Sequence, residues 1–385
     1  MINCNRRDGS ARAVNEVAER LARRGHDVHL FARKAEDLDL GLIRWHRVGG
    51  PTWPEVADFG SYHLLVNQWL KRNDFDIVHS IGCNTLAANV VTIQNIQPAK
   101  MKILKWQAER EKVSPPRRFT RWLYLRTTSR AESRLYTAQP GRPSPLFLPV
   151  SRGVAAELTE YYSIGDAPVR IIPNAADTAI FHPISPAERR CWREANGLRP
   201  DDLVCIFSGG EWGRKGLDYA IEAIARIRRP EVKLFVAGDD PDRARFHAQA
   251  AALDVADRVV FGGFRGDVAT ALAASDLFLF PSHYEAFSLA SIEAAACGLP
   301  IVAPRINGTE DFIQPGETGV FVEHDAAQIA SALEPLLADS TLRRAMGENA
   351  RALVEKHYTW DRIAAMTEDA YLEHLERLRA QRENA

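Results

Sequence analysis

No apolar run in this chain approaches the ~20 residues that a membrane-crossing helix needs, and the amino terminus lacks a leader pattern. The expectation is a cytoplasmic protein. Cysteine is scarce: Cys4, Cys83, Cys191, Cys205 and Cys297 are scattered, odd in number and never spaced C-x-x-C. That argues against a disulfide framework or a zinc site and fits a reducing compartment. No strand is followed by G-x-G-x-x-G with an acid ~20 residues on, which speaks against a nicotinamide-dependent oxidoreductase. A Walker loop, low-complexity tracts and short-period repeats are missing as well. Net charge is nearly nil, -1 over 385 residues, yet it is unevenly spread. Residues 1–165 hold 25 Lys and Arg against 16 Asp and Glu, so the remainder is acidic. A basic first half suggests that it meets something negative.

What is present is strand–helix alternation, twice over. A chain this long exceeds one ordinary core, so two domains are expected. The pattern predicts an α/β protein with two doubly wound, Rossmann-like parallel sheets facing across a cleft. The expected division is 1–177, completed by a carboxyl-terminal helix over 362–385, and 178–361.

One stretch organises the rest. Leu277–Phe280 reads as a strand buried on both faces, stopped by Pro281. A polar loop carries Glu285 to a helix starting near Ser288, which ends at Gly298 before Pro300 and a second strand, Ile301–Ala303. The helix amino terminus then lies at the carboxyl edge of the sheet, where its free amides favour an anion. Glu285 and Glu293 flank that positive end. Two acids would repel a phosphate, but they suit hydroxyl groups hanging from one, a sugar on one side and a ribose on the other. The arrangement points to a sugar nucleotide.

These residues resemble a known signature. Glu285-x7-Glu293, set in His-Tyr-Glu-Ala-Phe-Ser-Leu and followed by Cys-Gly-Leu-Pro, is similar to that of glycosyltransferase family 4, retaining enzymes of the GT-B fold. Val169–Asn174 with Asp177 resembles the segment that leads the family into its interdomain linker. After the strand Leu203–Ser208, Gly209-Gly-Glu-Trp-Gly-Arg-Lys-Gly216 resembles the family's Lys-Gly turn, in which Arg214 and Lys215 would grip a pyrophosphate. The resemblance assigns donor-sugar hydroxyls to Glu285, the ribose to Glu293, and the nucleotide base to the neighbourhood of Arg265. Gly209, Gly210, Phe287, Ser288 and Leu289 would line the donor site. Gly9 and Ser10, at the head of an early helix, are further candidate anion contacts, against the plain alternative of a turn.

The resemblance implies transfer of a hexose from a UDP- or GDP-linked sugar to a glycan or lipid-linked acceptor, in cell-envelope polysaccharide or lipopolysaccharide synthesis. No cofactor and no metal are expected. Two rival readings are a sugar-nucleotide epimerase and a non-catalytic sugar-nucleotide-binding protein of the same fold. The second is motivated by Gln94, which stands where the family often has histidine, and by a first strand reduced to the stub Met1–Cys4. His79 is read as a cleft residue or, with more weight, as a satisfied packing residue. Between Lys100 and Arg134, eleven basic residues face three acids, interleaved with Trp106, Phe119, Trp122 and Tyr124. That mixture suits an anionic membrane surface at the inner face, a solvated helix with one packed side, or single-stranded nucleic acid. The first is preferred and nucleic acid is set aside.

Overall fold

The computed structural model describes residues 3–4, 9–110, 115–141 and 143–383. It divides into two units: Met1–Asn174 together with Trp360–Ala385, and Ala175–Thr359.

The first unit runs β1 (Asn3–Cys4), α1 (Gly9–Arg23), β2 (Val28–Ala32), β3 (Lys34–Ala35), β4 (Ile43–Arg47), α2 (Glu55–Leu70), β5 (His79–Ile81), β6 (Val90–Ile93), α3 (Gln97–Arg110), α4 (Pro115–Tyr136), β7 (Leu146–Pro149) and α5 (Arg152–Tyr161). Its strands are parallel but fall into three small sheets, β1-β3, β2-β4 and β5-β6-β7. Two local expectations are corrected. From sequence alone the Gly/Pro-rich stretch Trp45–Trp53 reads as loop, yet Ile43–Arg47 pairs with β2 as a half-buried strand. From sequence alone the run Phe75–His79 reads as a strand, but the strand begins only at His79. Just before it, Asn89 accepts the Val78 amide (2.8 Å) and donates to the Asp76 carbonyl (3.0 Å), so a side chain does the work of a ladder there. His79 is a packing residue with both ring nitrogens satisfied, by Tyr371 and by Thr92 (2.7 Å). Burial pulls its pKa down to about 4.

A buried acid ties three helices of this unit together. One Glu132 oxygen on α4 accepts the Gln97 amide at the head of α3 (2.9 Å) and the Tyr162 hydroxyl at the end of α5 (2.8 Å). Desolvation outweighs both hydrogen bonds and pushes the carboxyl up to about 7. A carboxyl raised from 4.5 in the fold favours the native state below the unfolded value, and that stability is lost as pH rises through about 7. The loss is on the order of 3 kcal/mol. Glu132→Gln, which keeps an oxygen for both donors, should therefore unfold at a higher temperature than the parent at pH 8, and the gap should close by pH 4.5. A gap that does not change with pH would refute this.

The second unit runs α6 (Pro186–Ala195), β8 (Leu203–Ser208), α7 (Leu217–Arg226), β9 (Val232–Ala237), α8 (Arg243–Ala252), β10 (Val259–Gly263), α9 (Val268–Ala273), β11 (Leu277–Leu279), α10 (Leu289–Ala296), β12 (Ile301–Ala303), α11 (Thr309–Phe312), β13 (Gly319–Phe321), α12 (Ala326–Ala338) and α13 (Ser340–His357). Six parallel strands form one sheet in the order β10-β9-β8-β11-β12-β13. Cys205, Phe207, Leu277 and Leu279 on its central strands pack with Ile221 and Ile224 of α7 and Leu333 of α12, all wholly buried. The order reverses between β8 and β11, and ligands of open α/β sheets bind beyond the carboxyl ends of the strands at such a reversal.

The chain then returns to the first unit as α14 (Trp360–Glu383), which lies along α1. Trp360, Ile363 and Ala364 are buried there, and Arg20 pairs with Asp361 (2.6 Å).

Candidate active site

Two loops leave the sheet reversal of the second unit, 209–216 after β8 and 280–288 after β11. Their sequences force them together. Gly216, with φ +75°, lies so close to Pro281 that a Cβ would sit 2.0 Å from the Pro281 carbonyl oxygen. The His283 amide donates to the Arg214 carbonyl (2.9 Å). The turn expected to hold cations and the loop carrying Glu285 thus form one site.

Within it the two cations do different things. The Arg214 guanidinium is engaged: it donates to Glu211 (2.8 Å), to Glu285 (3.1 Å) and to the Tyr284 carbonyl. It is a pillar between the loops, tying the 209–216 turn to the loop that carries Glu285. Lys215 is the opposite case. Its ammonium stands 5.2 Å from the Phe280 ring centroid, and among the described residues no carboxylate lies within ion-pair distance. The side chain crosses Gly209 (φ +124°), where an added Cβ would meet Nζ at 2.2 Å. Desolvation lowers its pKa, while the nearby Glu285 carboxylate pulls it back up. A half-buried cation without a counter-ion is a site for an anion.

The same 280–288 loop runs into the head of α10. Ser288 caps it, accepting the Ser291 amide (3.2 Å). The amides of Ser288 and Leu289 find no backbone acceptor among the described residues, and the helix dipole adds to their pull. Phe287 is buried beneath this turn and packs toward Phe312 and Tyr358. Glu285 is half-buried, with Ser282 donating to the same oxygen that Arg214 holds (3.2 Å). Glu293 is buried on α10, 6% exposed, and its charge reaches Lys215.

Arg265 grips Asp267 through two bonds (2.7 and 2.6 Å) and Asn196 (3.0 Å), so its guanidinium is occupied at that end of the sheet. Gly9 opens α1 in the first unit, and the side chain of Ser10 lies outside the described residues. Gly210 backs onto the loop of Asp239, whose carbonyl would lie 3.2 Å from an added Cβ. Two supports went unread in the sequence. Trp212, 1% exposed, donates from its indole to the Gly209 carbonyl (2.9 Å), and Asp240 accepts the Trp212 amide (2.9 Å). The acid pair Asp239-Asp240, one glycine beyond β9, was the available signal.

Residues 188–353 match the family model described as glycosyl transferases group 1, and residues 7–180 match that of glycosyltransferase family 4. The lipopolysaccharide glucosyltransferase WaaG of Escherichia coli (strain K12) is 28% identical over 371 residues, covering 94% of this chain and 92% of that protein. The D-inositol 3-phosphate glycosyltransferase of Acidothermus cellulolyticus is 32% identical over 390 residues, covering 90% and 82%. The crystal structure of WaaG superposes with a TM-score of 0.77 at 24% identity, covering 97% of this chain and 98% of that one. At that identity the structural likeness speaks for the fold alone.

Proposed function

Because this chain belongs to glycosyltransferase family 4, an α/β family of GT-B fold, we propose that it moves a hexose from a UDP- or GDP-linked sugar to a glycan or lipid-linked acceptor. The observation that carries the reading is the Lys215 ammonium, in no direct ion pair among the described residues, at the sheet reversal from which α10 also starts, with amides that find no backbone acceptor there. A departing nucleoside diphosphate builds negative charge, and preorganised donors aimed at that charge stabilise the transition state. Lys215 and the Ser288–Leu289 amides fill this role without a metal or cofactor. Glu285, fixed by Arg214 and Ser282, accepts hydroxyls of the donor sugar, and Glu293 those of the ribose.

No covalent nucleophile is assigned, and the proposed course is retention. The bond from the anomeric carbon to phosphate oxygen breaks, the acceptor oxygen bonds on the same face, and its proton passes to the leaving phosphate. The name of the WaaG relative favours a lipopolysaccharide or other envelope acceptor. Phe119 (63% exposed) and Trp122 (48%) stack on α4 with Arg126 beside them, which suits contact with an anionic membrane. Phe119→Ser with Trp122→Ser should then weaken sedimentation with anionic vesicles and leave neutral ones unaffected.

A panel of nucleotide sugars tests the central reading. The true donor at one hundred times its Kd stabilises the native state by about 2.7 kcal/mol, read as a rise in melting temperature, and sugar should then appear on an added acceptor glycan. Free nucleotide with an altered, untransferred sugar would mean an epimerase. Binding with no turnover on any acceptor would mean a binding protein.

A further inference from the structure

Both groups that hold the Glu285 carboxylate reach it through two adjacent residues. Ser282 donates its hydroxyl (3.2 Å), and the His283 amide holds the carbonyl of Arg214, whose guanidinium is the other donor. Those two residues are gripped in turn by His324, in the connection from β13 to α12. Its Nε2 lies 3.1 Å from the Ser282 carbonyl. Its ring stacks on that of His283, with centroids 4.1 Å apart and 14° between the planes. Tyr219 of α7 borders both rings, at 5.5 Å from His283 and 5.8 Å from His324. Ser282 is wholly buried and the two histidines are half-buried.

What this stack can do depends on its charge. A carbonyl only accepts, so the hydrogen in the Ser282 contact belongs to His324 Nε2, and a further proton adds at Nδ1. Parallel imidazoles this close tolerate one charge between them, whereas a second would face the first across 4.1 Å. Histidine is the side chain whose ordinary titration falls between pH 5 and 8. The neighbouring charges already have work of their own. On α7, Asp218 takes the Tyr219 amide (3.2 Å) and lies 3.8 Å from Arg245. Beside His324, Glu323 is exposed and Asp325 caps α12 by accepting the Gln328 amide (2.8 Å). Arg305 lies over Phe321 (4.1 Å). Across the loop, Arg214 is held by Glu211 and Glu285, and Lys215 stands over Phe280. We propose that His324 and His283 are positioning residues for Glu285, a role that rests on Glu285 holding donor-sugar hydroxyls. The stacked pair keeps the 280–288 loop in place while at most one ring is charged, and releases it when both are.

Three readouts on the full chain test this. In the free protein, the ring resonances of His283 and His324 should titrate in two separated steps. His324→Gln keeps a donor for the Ser282 carbonyl but carries no charge, and should reduce the His283 titration to one step. Amide-exchange protection over 280–288 should fall by about tenfold from pH 8 to pH 5.5 in the parent and stay level in His324→Gln. Protection over 203–208 should stay level in both. UDP-glucose and GDP-mannose serve as donor probes, and for whichever binds, Kd and KM should rise by about tenfold over the same span. That rise should vanish in His324→Gln. Level protection of 280–288 in the parent overturns the proposal, as does an equal acid loss in His324→Gln. Donor binding that ignores pH while the loop loosens removes the positioning role. The first two readouts need no donor, so a stack that behaves as described in a protein that moves no sugar would remove the proposed activity and not the stack.

Discussion

Lys215→Ala should lower sugar transfer by about 10²–10³, the usual loss when one preorganised donor at a developing charge is removed. Little stability should go with it, because the ammonium has no carboxylate partner to abandon among the described residues. Gly209 offers an independent route to the same defect. The lysine lies across this glycine, so the methyl of Gly209→Ala would occupy the place of Nζ and push the ammonium aside. The two single variants should share the transfer defect, and the double variant should transfer little worse than Lys215→Ala, although Gly209→Ala, at φ +124°, also strains the turn. Arg214→Ala should behave differently, loosening the Glu285 loop as well as slowing transfer. Transfer by Lys215→Ala at the parental rate would remove the phosphate assignment.

Asp276→Ala should destabilise the second unit by about 3–5 kcal/mol. Arg193 is 2% exposed, and its guanidinium is held by the Asp276 carboxylate (2.7 Å) and by the Ala274, Pro200 and Asp202 carbonyls. Asp276 also binds Arg189 (2.6 Å) and accepts the Val204 amide of β8 (2.8 Å). Truncating the acid strands a buried cation and an amide together, lowering the melting temperature by roughly 10 °C. Arg193→Met combined with Asp276→Leu should recover only part of the loss, because it removes the stranded Arg193 cation but leaves the Val204 amide and three carbonyls without these partners. A loss below about 1 kcal/mol for Asp276→Ala would show the pair to be hydrated in solution.

Chemical denaturation that follows each unit separately distinguishes these outcomes.

The sequence was most legible where burial is complete. β8 and β12 were read to the residue because parallel strands covered on both faces are unbroken apolar runs. The helix from Ser288 to Gly298 was legible through its cap and its left-handed stop at φ +80°. Legibility failed where tertiary partners replace periodicity. Ile43–Arg47 alternates apolar with basic residues beside two glycines and a proline, and only pairing with β2 makes it a strand. In the site, residue types announced an anion with sugar hydroxyls, but not which cation would be open. That depended on Glu211 and Glu285 converging on Arg214, a long-range arrangement that spacing does not encode. Trp212 was hidden in the same way, since an indole in a glycine-rich turn can face either ligand or core.

The return of α14 to the first unit bears on how the molecule is made. A ribosome delivers the whole of 175–359 before this helix emerges, so the amino-terminal half waits, with the α1 surface that Trp360 and Ile363 will cover still bare. The second unit, built from one uninterrupted segment, has no such delay. Nascent chains stalled just short of Trp360 should therefore present one finished half and one that still recruits a holdase chaperone.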